Sequence, residues 1–287
     1  MAWEMDQKID IYDTRTKIMR GSQAKMSMDS NEKTVFKTEF TGLDEFDRFT
    51  GGLKRGQVTV LAARPAMGKT TFALNAAWNV CQKEAVAYFS LDYSKTQLVG
   101  RLLCMISGAG NANKAGWVKI ANAAESISHS DLIIDDDQDN SVETIASKCE
   151  NYVKERDVSL IIVDYIQLIS YKDGIAHSRS EEVNAIVCEL KRIAEELNVP
   201  VLLLCQIGRA CEKRKDHRPI LKDFRDSKAL VDLADVVIFL YRDDYYHEKS
   251  EEAGKAELIV AKHPELTTGD AKTLMALYNP GKGFENV

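Results

Sequence analysis

The chain has 287 residues, 45% hydrophobic and 29% charged, which supplies one sizeable core and falls short of two full domains. Its formal net charge of −6 excludes a general basic coat for nucleic acid, so contacts with phosphates must come from a local patch. Six cysteines without a C-x-x-C pair, no signal peptide and no apolar stretch near the ~20 residues that a bilayer requires argue against a disulfide scaffold or a membrane protein, and the expected compartment is the reducing cytoplasm.

Residues 1–37 read as a leader or linker segment, in which a weak helical stripe (Met5, Ile9, Tyr12, Met19) breaks near Gly21 and Ser22. A lone amphipathic helix cannot bury its stripe on itself, so this one either docks on another surface or frays. From Phe40 onward strand and helix alternate, and residues 38–287 are expected to form one domain.

The first strand, 58–62, runs into the loop Ala63, Arg64, Pro65, Ala66, Met67, Gly68, Lys69, Thr70, Thr71, followed by a helix over 69–81. Apart from Ala63 in the first glycine position, this is the phosphate-binding pattern G-x-x-x-x-G-K-[ST] in its required strand–loop–helix setting. Successive backbone N–H groups and the helix N-terminus converge on an anion, Lys69 reaches terminal phosphates, and Thr70 can hold magnesium. The second strand, 86–91, delivers Asp92 to the edge of the sheet where ligands of open α/β sheets bind. There Asp92 either orients and deprotonates an attacking water or, with Ser94, caps the helix over 95–107.

A strand at 132–134 ends in Asp135, Asp136 and Asp137, which read as a solvated turn rather than a metal site. The apolar strand 160–163 delivers Asp164, the carboxylate that a phosphate-loop fold needs beside Thr70 to hold magnesium. A helix over 181–197 places Val183, Ile186, Val187, Leu190, Ile193, Ala194 and Leu197 on one face, and Asn198 and Pro200 end it. Strand 199–205 precedes Gln206 and the densest basic stretch of the chain, 209–228, with eight Lys/Arg against four Asp/Glu. Further strands at 236–241, 258–261 and 274–277 lie close together with turn residues between them, as in hairpins added at one edge of the sheet. Five histidines (129, 177, 217, 247, 263) lack metal spacing and read as surface or loop residues. The expected fold is α/β: a mostly parallel sheet covered by helices on both faces, with antiparallel hairpins at one edge.

TGLDEFDRFTGGL (41–53), AARPAMGKTTFALN (62–75), SLD (90–92), VDYIQL (163–168), Gln206 after its strand, FRDS (224–227), DLADVVIFLYRDDYY (232–246) and IVAK (259–262) together resemble the C-terminal RecA-like motor domain of DnaB-type replicative helicases, in order and in spacing. The likeness covers about residues 38–287. It implies a RecA-like core whose homo-hexameric ring hydrolyses ATP with Mg²⁺ at subunit interfaces and moves along single-stranded DNA, in company with a helicase loader or other replication proteins. Carried over, Lys69 and Thr70 bind phosphates and magnesium, Asp164 is the Walker B carboxylate, Gln206 senses the γ-phosphate, and Lys262 reaches a neighbour's nucleotide. Arg225, Asp226 and Lys228 fall in the DNA-facing loop; with Arg209 and Lys213 they belong to the basic stretch already noted.

Four departures from the family pattern stand out. The catalytic glutamate is Asp92, one methylene shorter, and a displacement of about 1 Å can cost on the order of a hundredfold in rate. The run that supplies a lysine and an arginine finger reads Lys262, His263, Pro264, and fingers are worth about 10³ or more. The DNA loop ends in Lys228 where the family has glycine. The collar domain that binds primase has no counterpart in the sequence. A second reading follows from the first two: a catalytically weak DnaB-like module that binds nucleotide and DNA for regulation or assembly. A recombination or clock ATPase on the same core matches 232–246 less well.

Overall fold

The apolar runs assemble into one nine-stranded sheet, flanked by a two-stranded one. The computed structural model describes residues 38–108, 116–172, 178–224, 228–267 and 269–287. The small antiparallel sheet pairs β1 (Thr38–Glu39) with β2 (Leu53–Lys54), and helix α1 (Asp44–Thr50) lies between them in sequence. The large sheet contains β3 (Val58–Ala63), β4 (Ala85–Ser90), β5 (Leu132–Asp135), β6 (Val158–Asp164), β7 (Val201–Gln206), β8 (Val236–Tyr241), β9 (Lys255–Lys262), β10 (Lys272–Asn279) and β11 (Gly283–Glu285). Its strand order is β11-β10-β9-β8-β3-β7-β6-β4-β5.

From β8 to β5 the pairs are parallel, and from β8 outward through β9, β10 and β11 they are antiparallel. The expected hairpins therefore form one continuous antiparallel edge. Parallel strands need crossovers, supplied here by α2 (Lys69–Val80), α3 (Lys95–Ser107), α4 (Trp117–Ser128), α5 (Val142–Arg156), α6 (Arg179–Leu197) and α7 (Lys228–Leu233).

Side chains alternate across each strand, so the core divides into two layers. Val58, Val60 and Ala62 of β3, with Val201, Leu203 and Cys205 of β7, face a layer containing α5 and α6. Leu61, Ala63, Leu202 and Leu204 face the opposite layer, with Phe46 of α1, Phe72 of α2 and Leu98 of α3. Both faces are dry, which is why these strands read as uninterrupted apolar runs. Helix α6 starts two residues before the expected 181, because the Ser178 hydroxyl accepts the Glu181 N–H, and it ends at Asn198 in the left-handed conformation.

Three local expectations change. Asp135 and Asp137 both accept from the Lys148 amine at 2.9 Å, and Asp136 accepts the Lys95 N–H at the start of α3. The acidic turn is thus a structural clasp as well as a solvated one. His263 stands in a loop but not at the surface: it is 4% exposed, against Phe49 and within 3.2 Å of the Thr50 carbonyl oxygen. β9 and β10 extend beyond their apolar runs, and β10, next to the edge strand, buries Leu274 and Ala276 while Thr273 and Leu277 stay exposed. The leader segment, its stripe of Met5, Ile9, Tyr12 and Met19, and His177 lie outside the described residues.

Candidate active site

The phosphate loop is built by backbone conformations that its sequence permits. Gly68 has φ of +109°, and a Cβ there would stand 3.1 Å from Tyr278 Cε2 and 3.3 Å from Phe284 Cζ. Gly68 also precedes α2 as an N-cap without a side-chain cap bond, which leaves the first N–H groups of the helix for an anion. Met67 is 1% exposed and packs in the core, anchoring the loop from beneath.

Strand register brings the other groups to the same place. Ala63 at the end of β3 is opposite Gln206 at the end of β7, and Ser90 at the end of β4 is opposite Asp164 at the end of β6. Since β3, β7, β6 and β4 are consecutive, their C-terminal ends form one edge. A cavity of about 740 Å³ opens there. Pro65, Ala66, Gly68, Lys69, Thr70 and Thr71 line it, as do Asp92, Asp164 and Gln206.

The Lys69 amine lies 3.3 Å from the Ala63 and Arg64 carbonyl oxygens, and burial pushes its pKa down. The Asp164 carboxylate is 2% exposed and accepts both the Thr70 hydroxyl and the Tyr88 hydroxyl on Oδ2 at 2.8 Å. Burial raises its pKa, against the two hydroxyls and the Lys69 charge, which pull it down. Burial and the Asp164 charge hold the Tyr88 phenol well above its usual range, while the field of Arg101 acts on it in the opposite sense.

Magnesium suits this donor set: a hydroxyl and a carboxylate are hard oxygen ligands, and Mg²⁺ uses one or two carboxylates together with phosphate oxygens and water. Among the described residues no group of three or more His, Cys, Asp or Glu side chains could hold a metal.

Asp92 is exposed at the cavity, and the cap of α3 belongs to Ser94, whose hydroxyl accepts the Gln97 N–H in a capping box. This frees the Asp92 carboxylate from the capping role considered for it. Gln206 is held from behind: Gln167 donates to its carbonyl at 2.8 Å and accepts its N–H at 3.1 Å.

Arg64 turns away from the cavity, donating from Nε to Glu212 at 2.9 Å and from Nη1 to the Ile207 carbonyl at 2.8 Å. It joins the phosphate loop to the segment that carries the basic stretch. Lys262 does not line the cavity either: its amine donates to the carbonyls of Val231, Asp232 and Ala234 at the end of α7. Pro264 is exposed.

The basic stretch is less free than its composition suggests. Arg214 is paired with Asp223 and Arg218 with Glu257. Arg209, Lys213, Lys215 and Lys222 are exposed. Arg225 and Asp226 lie outside the described residues, and Lys228 opens α7.

Several groups escaped the sequence reading. Tyr88 looked like an ordinary strand residue, Gln167 like part of a strand end, and Tyr278 and Pro280 like the tail of an edge hairpin; the last two line the cavity from β10 and the turn after it. Arg101 carried no signal beyond its place in the helix expected over 95–107.

The family model described as "DnaB-like helicase C terminal domain" matches residues 39–279. The chain is 42% identical over 231 residues to the replicative DNA helicase DnaC of Bacillus subtilis (strain 168), a match covering 77% of this chain and 51% of that protein. It is also 42% identical over 231 residues to the replicative DNA helicase DnaB of Geobacillus stearothermophilus, with the same coverage. The chain thus spans about half the length of these curated relatives. Among solved structures, a DnaB-like replicative helicase studied for its interactions with primase superposes with a TM-score of 0.81 at 31% identity, over 98% of this chain and 76% of that one. A second solved structure, described as an ATPase domain, gives 0.80 at 32% identity, over 98% of this chain and all of that one.

Proposed function

The chain belongs to the family of DnaB-like helicase C-terminal domains, and from that membership we propose that it is the ATP-hydrolysing motor of a replicative DNA helicase, moving on single-stranded DNA. The observation that carries the reading is the convergence of Lys69, Thr70, Asp92, Asp164 and Gln206 on one cavity at the ends of four consecutive strands. Residues 38–287 would be the motor and 1–37 a leader or linker. The working form would be a ring of six copies, because Lys262 and the loop after it act, in the resemblance, on a neighbour's nucleotide. A loader or other replication proteins would place it on DNA in the cytoplasm.

The residues divide the work. The N–H groups at the start of α2 and the Lys69 amine hold the phosphates, and Thr70 with Asp164 would hold Mg²⁺. Held there, Mg²⁺ would offset negative charge on the phosphate oxygens. The free Asp92 carboxylate orients a water molecule and takes its proton, and Gln206, fixed by Gln167, reads the terminal phosphate. Arg209, Lys213, Arg225, Asp226 and Lys228 would meet DNA. The short Asp92 and the uncharged Pro264 favour a second reading, in which nucleotide and DNA are bound without fast turnover.

ATP turnover with and without single-stranded DNA, beside native mass measurement, tests the proposal. Turnover stimulated by DNA is expected, Lys69→Ala should abolish it, and Asp92→Glu should raise it. Nucleotide binding without turnover would leave the second reading, and unchanged binding in Lys69→Ala would remove the site assignment.

A further inference from the structure

Helix α3 turns one face to the cavity: Gln97, Gly100, Arg101, Cys104 and Met105 all line it, at the three- and four-residue spacing of a single helical stripe. Leu98 and Leu102, both fully buried, fix the rotation of the helix. On that stripe Gln97 is engaged in the capping box of Ser94, Cys104 and Met105 offer sulfur and apolar surface, and a Cβ on Gly100 would meet nothing within 4 Å. Arg101 is its one charged group. Among the described residues Lys69 and Arg101 are the two cations of the cavity wall.

The Arg101 guanidinium lies 3.9 Å over the ring of Tyr93. Among the described residues it has no carboxylate or carbonyl partner, in contrast to Arg64, Arg192, Arg214 and Arg218, each held by an acid. A guanidinium presents five donors in a planar fork that matches phosphate oxygens, and a ring beneath it holds that fork in place without using a donor. Arg101 lines the same cavity as Lys69, Thr70 and Asp164. The open space beside Gly100 leaves room for a ligand next to it.

We propose that Arg101 binds the terminal phosphate of ATP from within the same chain, supplying the positive charge that Pro264 lacks. The inference rests on the ATP reading above and names a further residue of that site. In hydrolysis the water oxygen forms a bond to the γ phosphorus, and the bond from that phosphorus to the bridging oxygen breaks with its electrons passing to ADP. The water proton passes to Asp92. Arg101 exchanges no proton; its N–H groups spread the charge on the γ oxygens.

The experiment is equilibrium binding, with Mg²⁺, of ADP and of the slowly hydrolysed β,γ-imido analogue of ATP, alongside turnover, for the parent, Arg101→Gln, Arg101→Lys and Lys69→Ala. Glutamine keeps the packing of the stem, and ADP binding reports that each variant is folded. Arg101→Gln should weaken the analogue about tenfold, the loss of one or two charge-assisted hydrogen bonds, and ADP by less than about twofold. Turnover should fall at least as far, and lysine should restore part of both. An analogue-to-ADP ratio equal to the parent's, with the parent binding both, overturns the assignment of Arg101 alone. A parent that binds neither nucleotide, or a Lys69→Ala variant that binds both normally, overturns the phosphate-loop reading and this inference with it.

Discussion

Gly68 shows how much of the site hangs on one missing Cβ. Its φ of +109° is costly for any residue with a side chain, and the space beside it is already filled by the rings of Tyr278 and Phe284. Gly68→Ala should cost about 1–2 kcal/mol in backbone strain. The melting temperature of a chain this size would drop by about 2–4 °C for each kcal/mol. Because Tyr278 lines the cavity, nucleotide affinity should fall as well, by about tenfold or more. Thermal melts with and without ATP check both effects. A variant that melts and binds like the parent would show that the loop reaches its shape without a glycine there.

At the scale of elements, the end of α7 tells two stories about one lysine. Family resemblance sends Lys262 to a neighbour's nucleotide, whereas its amine here caps the last carbonyls of a short helix. Cations at a helix C-terminus satisfy carbonyls that have no intrahelical partner. Lys262→Met, which keeps the stem but removes the donors, should therefore lower stability by about 1–2 kcal/mol. Urea unfolding of the monomer measures that loss. Full stability with lost turnover would instead place the amine at a neighbour's site during the reaction. The Arg64–Glu212 pair is a second link between elements, tying the phosphate loop to the segment after β7.

For the whole molecule, the proposed function requires a chain of net charge −6 to hold a polyanion. Two of the eight cations in 209–228 are neutralised by Asp223 and Glu257, so on the proposed function contact with DNA would fall to the remaining ones, of which Arg209, Lys213, Lys215 and Lys222 are exposed. Affinity for single strands should fall by roughly 0.7 log units per log unit of salt for each phosphate neutralised. Replacing Arg209, Lys213, Arg225 and Lys228 together with alanine should weaken binding and flatten that slope while nucleotide binding stays intact. Titrations at several salt concentrations provide the check, and parental affinity and slope in the variant would reduce the stretch to a solvated surface. Sequence preference should be slight, since backbone contacts carry no base information.

The strand, loop and helix around Gly68 and Lys69, the strand ends leading to Asp92 and Asp164, and the antiparallel edge were legible in the sequence, because each depends on neighbours along the chain, whereas Gln206 stood out only through the family resemblance. Apolar runs of a doubly covered sheet announce themselves, and the glycine and lysine of a phosphate loop keep fixed spacing. What only the tertiary structure decided is which distant groups meet: Tyr88 on Asp164, Gln167 behind Gln206, Tyr278 over Gly68, Arg64 on Glu212, and Arg101 facing Lys69's cavity. Strand order and register set these pairings, and neither is written in local periodicity, since a strand of given pattern fits several positions in a sheet. Charge fared likewise. Composition gave eight cations to one stretch, and folding withdrew two of them into ion pairs whose partners the pattern of the chain does not name.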